Sequence, residues 1–188
     1  MKKAIIGCEE WLSIKDLNIP IIKARIDSGA KTSSIQAKNI KKIIRNGETW
    51  VIFDVCPIQD NSSLNVSCES KVIDIRIIRS STGESQKRYV IKTNICIGQN
   101  IFEVELTLAE RDGMEYRMLL GREALSDRFL VDSSKRFNYK NYNDDEVLSL
   151  YKHLFKKSSG LKIGLLASNK ELYSNKRIIE SAEARGHK

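Results

Sequence analysis

The 188-residue chain has no run of eighteen apolar residues, and the two lysines at its start lead into no long apolar stretch ending in a small-residue cleavage site. A membrane-crossing helix and a secretory leader are therefore not expected, and the protein is expected to be cytoplasmic. Histidine is nearly absent, only His153 and His187, and no His-Glu-x-x-His pattern exists to hold a catalytic zinc. No glycine-rich loop offers backbone amides to a nucleotide phosphate. Aromatics make up 7% of the chain, too few for the stacking platforms of single-strand nucleic-acid binders, and no RNA- or DNA-reading motif accompanies them. Nucleic acid is therefore not the expected partner, although a net charge of +8 would permit it. The four cysteines, Cys8, Cys56, Cys68 and Cys96, lie far apart among strand-like residues. None is spaced as a metal knuckle or redox pair, and all are expected to be buried free thiols. No cofactor or metal is expected.

From Lys3 to Leu130 there are short runs of Ile, Val, Leu, Phe and Thr. They are broken at Asn46-Gly47, Thr82-Gly83, Gly98-Gln99-Asn100 and Asp112-Gly113, the rhythm of an antiparallel β domain. Strands are expected near Ile19–Ile26, Trp50–Cys56, Val72–Arg79, Arg88–Ile97, Phe102–Ala109 and Tyr116–Leu120, with one helical turn at Glu123–Asp127. Residues 1–140 form this β domain, large enough to bury about two-thirds of its unfolded surface without a staple. Residues 141–160 are a helix and linker. Asn143-Asp144-Asp145 starts the helix, Val147, Leu148, Leu150, Tyr151 and Leu154 form its apolar stripe, and Lys156–Gly160 follows. Residues 161–188 form a small β-loop-α unit, with a strand at Leu161–Ala167 and a helix at Asn175–Arg185, too small to be stable alone.

One segment carries a chemical pattern. Ile21–Ser34 runs from a strand into Asp27-Ser28-Gly29-Ala30. A carboxylate at a strand end, a small hydroxyl residue to tie the loop and a glycine for close approach are what an aspartic peptidase requires. Asp-Ser-Gly is also an ordinary turn, so the second segment, Met118-Leu119-Leu120-Gly121-Arg122-Glu123, decides between the two.

Asp27-Ser28-Gly29-Ala30 resembles the catalytic loop of retropepsins, and Leu119-Leu120-Gly121-Arg122 resembles their late apolar-apolar-Gly-Arg strand. With Ile6-Gly7, Glu10-Trp11, Lys31-Thr32-Ser33, Arg88-Tyr89-Val90-Ile91 and Glu105-Leu106-Thr107-Leu108, nearly all of residues 1–139 resembles the RimB-type family, also labelled ATP-dependent zinc protease. Gly164, Leu172-Tyr173-Ser174, Lys176-Arg177 and Arg185-Gly186-His187 resemble the opening of RimK-type ATP-grasp glutamate ligases. The resemblance implies a mainly β, closed or partly open acid-protease barrel with one short helix, followed by the helical linker and a truncated ligase remnant. Such ligases add glutamates to a ribosomal protein tail, and the retropepsin-like companion is implied to remove them. The zinc label finds little support, because Gln36 and Cys56 stand where some relatives carry histidine.

Aspartic peptidase chemistry uses two carboxylates, and the chain has one such motif. A two-fold homodimer is therefore expected, with Asp27 of each subunit facing its mate. Ser28, Gly29 and Ala30, packed against Gly121, would support the loop. Strand alternation points Lys23 and Arg25 the same way as Asp27. With Lys31, Thr32 and Arg122 they would receive acidic, glutamate-rich peptide, and Arg122 would lack the carboxylate partner usual in viral relatives. A flap is implied by the resemblance; Arg45-Asn46-Gly47-Glu48 is the best hairpin signal for it, and Ser80–Gln86 the next. The expected activity is aspartic endopeptidase cleavage of acidic peptide such as a glutamylated ribosomal protein tail, with a RimK-type ligase as a further partner. The alternative is a non-catalytic module of the same fold that binds a glutamate-rich tail or the ligase.

Overall fold

The computed structural model describes residues 3–59, 64–79, 85–110, 116–152 and 177–180. The chain divides into two units, Met1–Leu150 and Tyr151–Lys188. In the second unit, residues 177–180 are helical, within the helix expected from Asn175. The expected linker at Lys156–Gly160 and strand at Leu161–Ala167 lie outside the described residues.

The first unit is built from eleven strands among the described residues. They are β1 (Ala4–Gly7), β2 (Glu9–Ile14), β3 (Ile19–Asp27), β4 (Ser33–Gln36), β5 (Lys38–Arg45), β6 (Glu48–Val55), β7 (Val66–Arg79), β8 (Ser85–Ile97), β9 (Asn100–Ala109), β10 (Met118–Gly121) and β11 (Phe129–Asp132). Two helices join them, α1 (Arg122–Leu125) and α2 (Asp144–Leu150). Nine strands make one sheet in the order β2-β3-β10-β4-β9-β8-β7-β6-β5. The first six curl into a barrel, closed where Ser13 of β2 meets Cys96 of β8. Strands β7, β6 and β5 continue outward from β8, and β1 pairs in parallel with β11 as a separate two-stranded sheet.

The β-branched content of these segments suits a pleated, half-buried surface, and their alternation shows which face is buried. On β8, Ile91, Thr93, Ile95 and Ile97 are buried; on β3, Ile22, Ala24 and Ile26. With Ile6, Leu12, Ile14, Ile35 and Phe53 they fill the interior, at about 25 cal/mol per Å² of apolar surface removed from water. The mainly β barrel expected from the sequence is the observed fold. The short helix starts one residue earlier than expected, at Arg122, and stops at Leu125. Asn143 caps α2: its Oδ1 accepts the Glu146 N–H at 2.9 Å, and Glu146 Oε2 accepts the Asn143 N–H at 3.0 Å, a reciprocal capping box.

The cysteines are free, but only Cys56 and Cys68 are buried; Cys8 and Cys96 are half-exposed, contrary to expectation. Cys8 stands in the break between β1 and β2, and Cys96 one residue before the end of β8. Burial, with the nearby Asp54 charge, pushes the Cys68 thiol up to about 12.

Candidate active site

Strand β10 lies between β3 and β4, parallel to the first and antiparallel to the second, and Gly121 stands opposite Asp27. This crossing makes the site. The loop after Asp27 passes over the end of β10 so closely that a Cβ on Gly121 would lie 2.7 Å from the Thr32 backbone carbon and 2.9 Å from the Lys31 carbonyl oxygen. Any side chain there would have to push the Lys31–Thr32 backbone aside. Three hydrogen bonds fasten the crossing: Arg122 N–H to Ala30 O at 2.9 Å, Glu123 N–H to Lys31 O at 3.2 Å, and Gly121 N–H to Ser33 Oγ at 3.0 Å.

The loop in turn fixes the Asp27 carboxylate. Its Oδ1 accepts N–H groups from Gly29 at 3.0 Å and Ala30 at 3.1 Å. A Cβ on Gly29 would stand 3.2 Å from that oxygen, crowding it. Among the described residues, Oδ2 makes no hydrogen bond and remains available for chemistry. Asp27, Gly29, Ala30, Lys31 and Thr32 form one side of a cleft of about 1050 Å³. Arg76, Ile77, Ile78 and Arg88 line it from the β7–β8 hairpin, and Ser34, Glu105, Thr107, Leu119 and Glu123 complete it.

Several expected roles change. Ser28 is exposed, and the hydroxyl that ties the loop to β10 belongs to Ser33. Lys23 and Arg25 do share the face of Asp27 by alternation, yet neither lines its cleft. Arg25 is opposite Glu9 in the β2–β3 register and its Nη1 lies 3.6 Å from that carboxylate. Lys23 and Arg25 both sit over the Tyr116 ring, at 5.8 and 5.7 Å. Nothing in the local sequence announces this neighbour, which holds the two cations away from the cleft. Lys31 and Thr32 do line the cleft, where both meet Glu123: Lys31 Nζ at 3.7 Å and Thr32 Oγ1 at 3.4 Å. Arg122 donates to Gly29 O at 3.3 Å. It braces the loop and does not line the cleft.

The Asn46-Gly47 turn is real, with both residues at positive φ, but it joins β5 to β6 and none of its residues lines the cleft. The hairpin beside Asp27 is β7–β8, the second choice from the sequence. Its connecting residues 80–84 lie outside the described residues. Arg76, Arg88, Glu105 and Glu123 were not anticipated as site residues; alternation along β7 and β8 could have grouped the two arginines, but only if that hairpin had been placed over Asp27.

Gln36 is buried and accepts a hydrogen bond from Arg117, while Cys56 Sγ donates to Asn65 Oδ1 at 2.8 Å. Among the described residues no three His, Cys, Asp or Glu side chains converge as a metal site.

A six-stranded closed barrel with a glycine strand threaded beneath an Asp-Ser-Gly loop and a hairpin beside the cleft defines a retropepsin-like protein. Residues 5–141 match the family described as retropepsin-like aspartic endopeptidase RimB, and the chain belongs to this RimB-like family. It is 58% identical over 185 residues to a Shewanella pealeana protein named probable alpha-L-glutamate ligase, covering 98% of this chain and 40% of that protein. It is 46% identical to a protein of the same name from Desulfotalea psychrophila, with the same coverage. The chain thus spans about 40% of the length of these relatives. A crystal structure of a Legionella pneumophila protein of unknown function is 29% identical, with a TM-score of 0.63, covering 74% of this chain and 100% of that one.

Proposed function

We propose that the protein is an aspartic endopeptidase that works as a two-fold dimer and cleaves acidic, glutamate-rich peptides. The observation that carries this reading is the Asp27 carboxylate, held through one oxygen by its own loop, in a cleft of peptide-binding size. One carboxylate cannot both take and give a proton in the same step, so the mate is supplied by a second copy. In the dyad one Asp27 is ionised and the other protonated. The ionised one takes a proton from water as its oxygen attacks the scissile carbonyl carbon, and the protonated one donates to the carbonyl oxygen. The resulting gem-diol collapses with proton transfer to the amide nitrogen, the C–N bond breaks, and acid and amine products leave.

Exposed apolar residues on the β1–β11 sheet, Ile5, Leu130 and Val131, support self-association through that sheet, since adjoining apolar side chains on open strands commonly mark an interface. Lys31, Arg76 and Arg88 line the cleft, the first two paired with Glu123 and Glu105; these cations, with the +8 charge of the chain, support an acidic substrate. The names of the relatives point the same way, because a glutamate ligase and a glutamate-cleaving peptidase act on the same chemical tail. A glutamylated ribosomal protein tail is the proposed natural substrate, and a RimK-type ligase the proposed partner.

The test is incubation of an oligoglutamate-tailed peptide with wild-type protein and with Asp27→Asn, products being read by mass spectrometry. Cleavage by the wild type and a loss of at least about a thousandfold in the variant are expected, as for removal of a catalytic group elsewhere. Equal cleavage by both would remove Asp27 from the reaction. Sedimentation of the same samples separates this reading from that of a non-catalytic binding module, which a monomer without peptidase activity would favour.

A further inference from the structure

Arg76 and Arg88 stand opposite each other in the β7–β8 ladder, so both project from one face of the hairpin, and that face lines the cleft of Asp27. Arg76 is held there by two carboxylates. Its Nε donates to Asp74 Oδ2 at 2.7 Å, and its Nη2 to Glu105 Oε2 at 2.7 Å. Asp74 is a neighbour on the same strand and simply aims the side chain. Glu105 belongs to β9 and lines the cleft itself. The other side of the cleft repeats the arrangement, with Lys31 facing Glu123. Each of these two cations is thus engaged by a glutamate of the protein's own.

Resting on the reading of this cleft as a peptide site, we propose that Arg76 is the specificity-determining cation for acidic substrates and that Glu105 is a built-in stand-in for a substrate glutamate. An incoming γ-carboxylate takes Nη2 of Arg76, and Glu105 turns to solvent. The exchange replaces one guanidinium–carboxylate bond by another of the same kind, so no guanidinium is left unpaired at any stage. Glu105 is 38% exposed in its side chain and regains water without a large penalty. A neutral side chain offers nothing to exchange, and Glu105 keeps Arg76. Selectivity therefore comes from what the wrong substrate cannot displace. Because the gain is a difference between two similar bonds, acidic products are held weakly and released.

The inference is tested by the dissociation constants of two peptides, one glutamate-tailed and one with glutamine at the same positions, measured by fluorescence anisotropy on Asp27→Asn protein so that cleavage does not intervene. Adding Arg76→Gln should lower the preference for glutamate over glutamine by about fivefold, the worth of one partly exposed ion pair. Adding Glu105→Gln, which removes the competitor and spares the guanidinium, should raise that preference by about threefold to fivefold. A gain of this kind cannot come from damage to the fold. An unchanged or reduced preference in Glu105→Gln, or an unchanged one in Arg76→Gln, overturns the inference. If the preferences shift as expected while wild-type protein cleaves neither peptide, the peptidase reading fails and the exchange stands. If wild-type protein cleaves and the preferences do not move, the exchange fails and the peptidase reading stands.

Discussion

Glu9 and Asp16 tie ionisation to the fold most directly. Glu9 is buried, which pushes its pKa upward, yet hydrogen bonds from Arg136 and Tyr116 and the Arg136 and Lys23 charges hold it below the usual carboxylate range. Asp16 is held low by the Asn94 backbone N–H at 2.9 Å, with the Thr93 hydroxyl and the Asn94 side chain adding to it against a smaller upward push from burial. A carboxyl whose folded pKa lies below its unfolded one adds stability that is fully present above the unfolded value and is lost as pH falls through the folded one. Urea midpoints should therefore be flat above about pH 5 and fall below about pH 4. In Glu9→Gln/Asp16→Asn the midpoint at pH 7 should be lower and the acid slope shallower; a slope identical to wild type would refute the assignment. Glu9→Gln alone should cost about 1–2 kcal/mol. The same residue shows why Lys23 and Arg25 were misplaced by sequence reasoning: alternation gives the correct face, but the Glu9 and Tyr116 neighbours that turn them from the cleft come from β2 and from just before β10.

The active loop depends on one close passage of elements. Gly121→Ala forces a methyl group against the backbone of Lys31 and Thr32, and overpacking of this kind costs about 1–3 kcal/mol. A lowered melting temperature and lost activity are expected together; a stable, active variant would show that the passage is looser than the distances imply. Asn143→Ala should remove about 1 kcal/mol through loss of the α2 cap, measured as a lower urea midpoint with peptide binding unchanged. The long, regular strands β3, β6, β8 and β9 were readable from their apolar runs. Strand β5 was not, because Lys38–Arg45 is mostly exposed and rich in lysine, so no hydrophobic alternation marks it. The Asn46-Gly47 signal correctly located a turn, but turn chemistry reports local backbone geometry and says nothing about which hairpin overlooks a cleft formed by strands distant in sequence.

For the molecule as a whole, the proposed dimer makes activity concentration-dependent. Leu130→Glu places a charge on the exposed β1–β11 sheet and should shift sedimentation toward monomer. Specific activity should drop at low protein concentration and recover as concentration rises. A variant that stays dimeric would move the interface elsewhere, and a fully active monomer would contradict the shared-proton mechanism. The fold and the position of Asp27 opposite Gly121 were legible because an Asp-Ser-Gly loop and a distant apolar-apolar-Gly-Arg strand constrain each other. The charge arrangement of the cleft was not, since Arg76, Arg88, Glu105 and Glu123 come from four different elements and meet only through strand order.

The passage of β10 beneath the Asp27 loop also sets a schedule for synthesis. Asp27 leaves the ribosome early, but the strand that holds its loop is made some ninety residues later, and β11, which completes the small sheet, later still. A nascent chain therefore carries Asp27 without the strand that holds its loop until β10 has been made. Any chain stopped short of that strand holds its carboxylate on a loop with nothing to pass over, so the site comes into being in one late step and not by degrees.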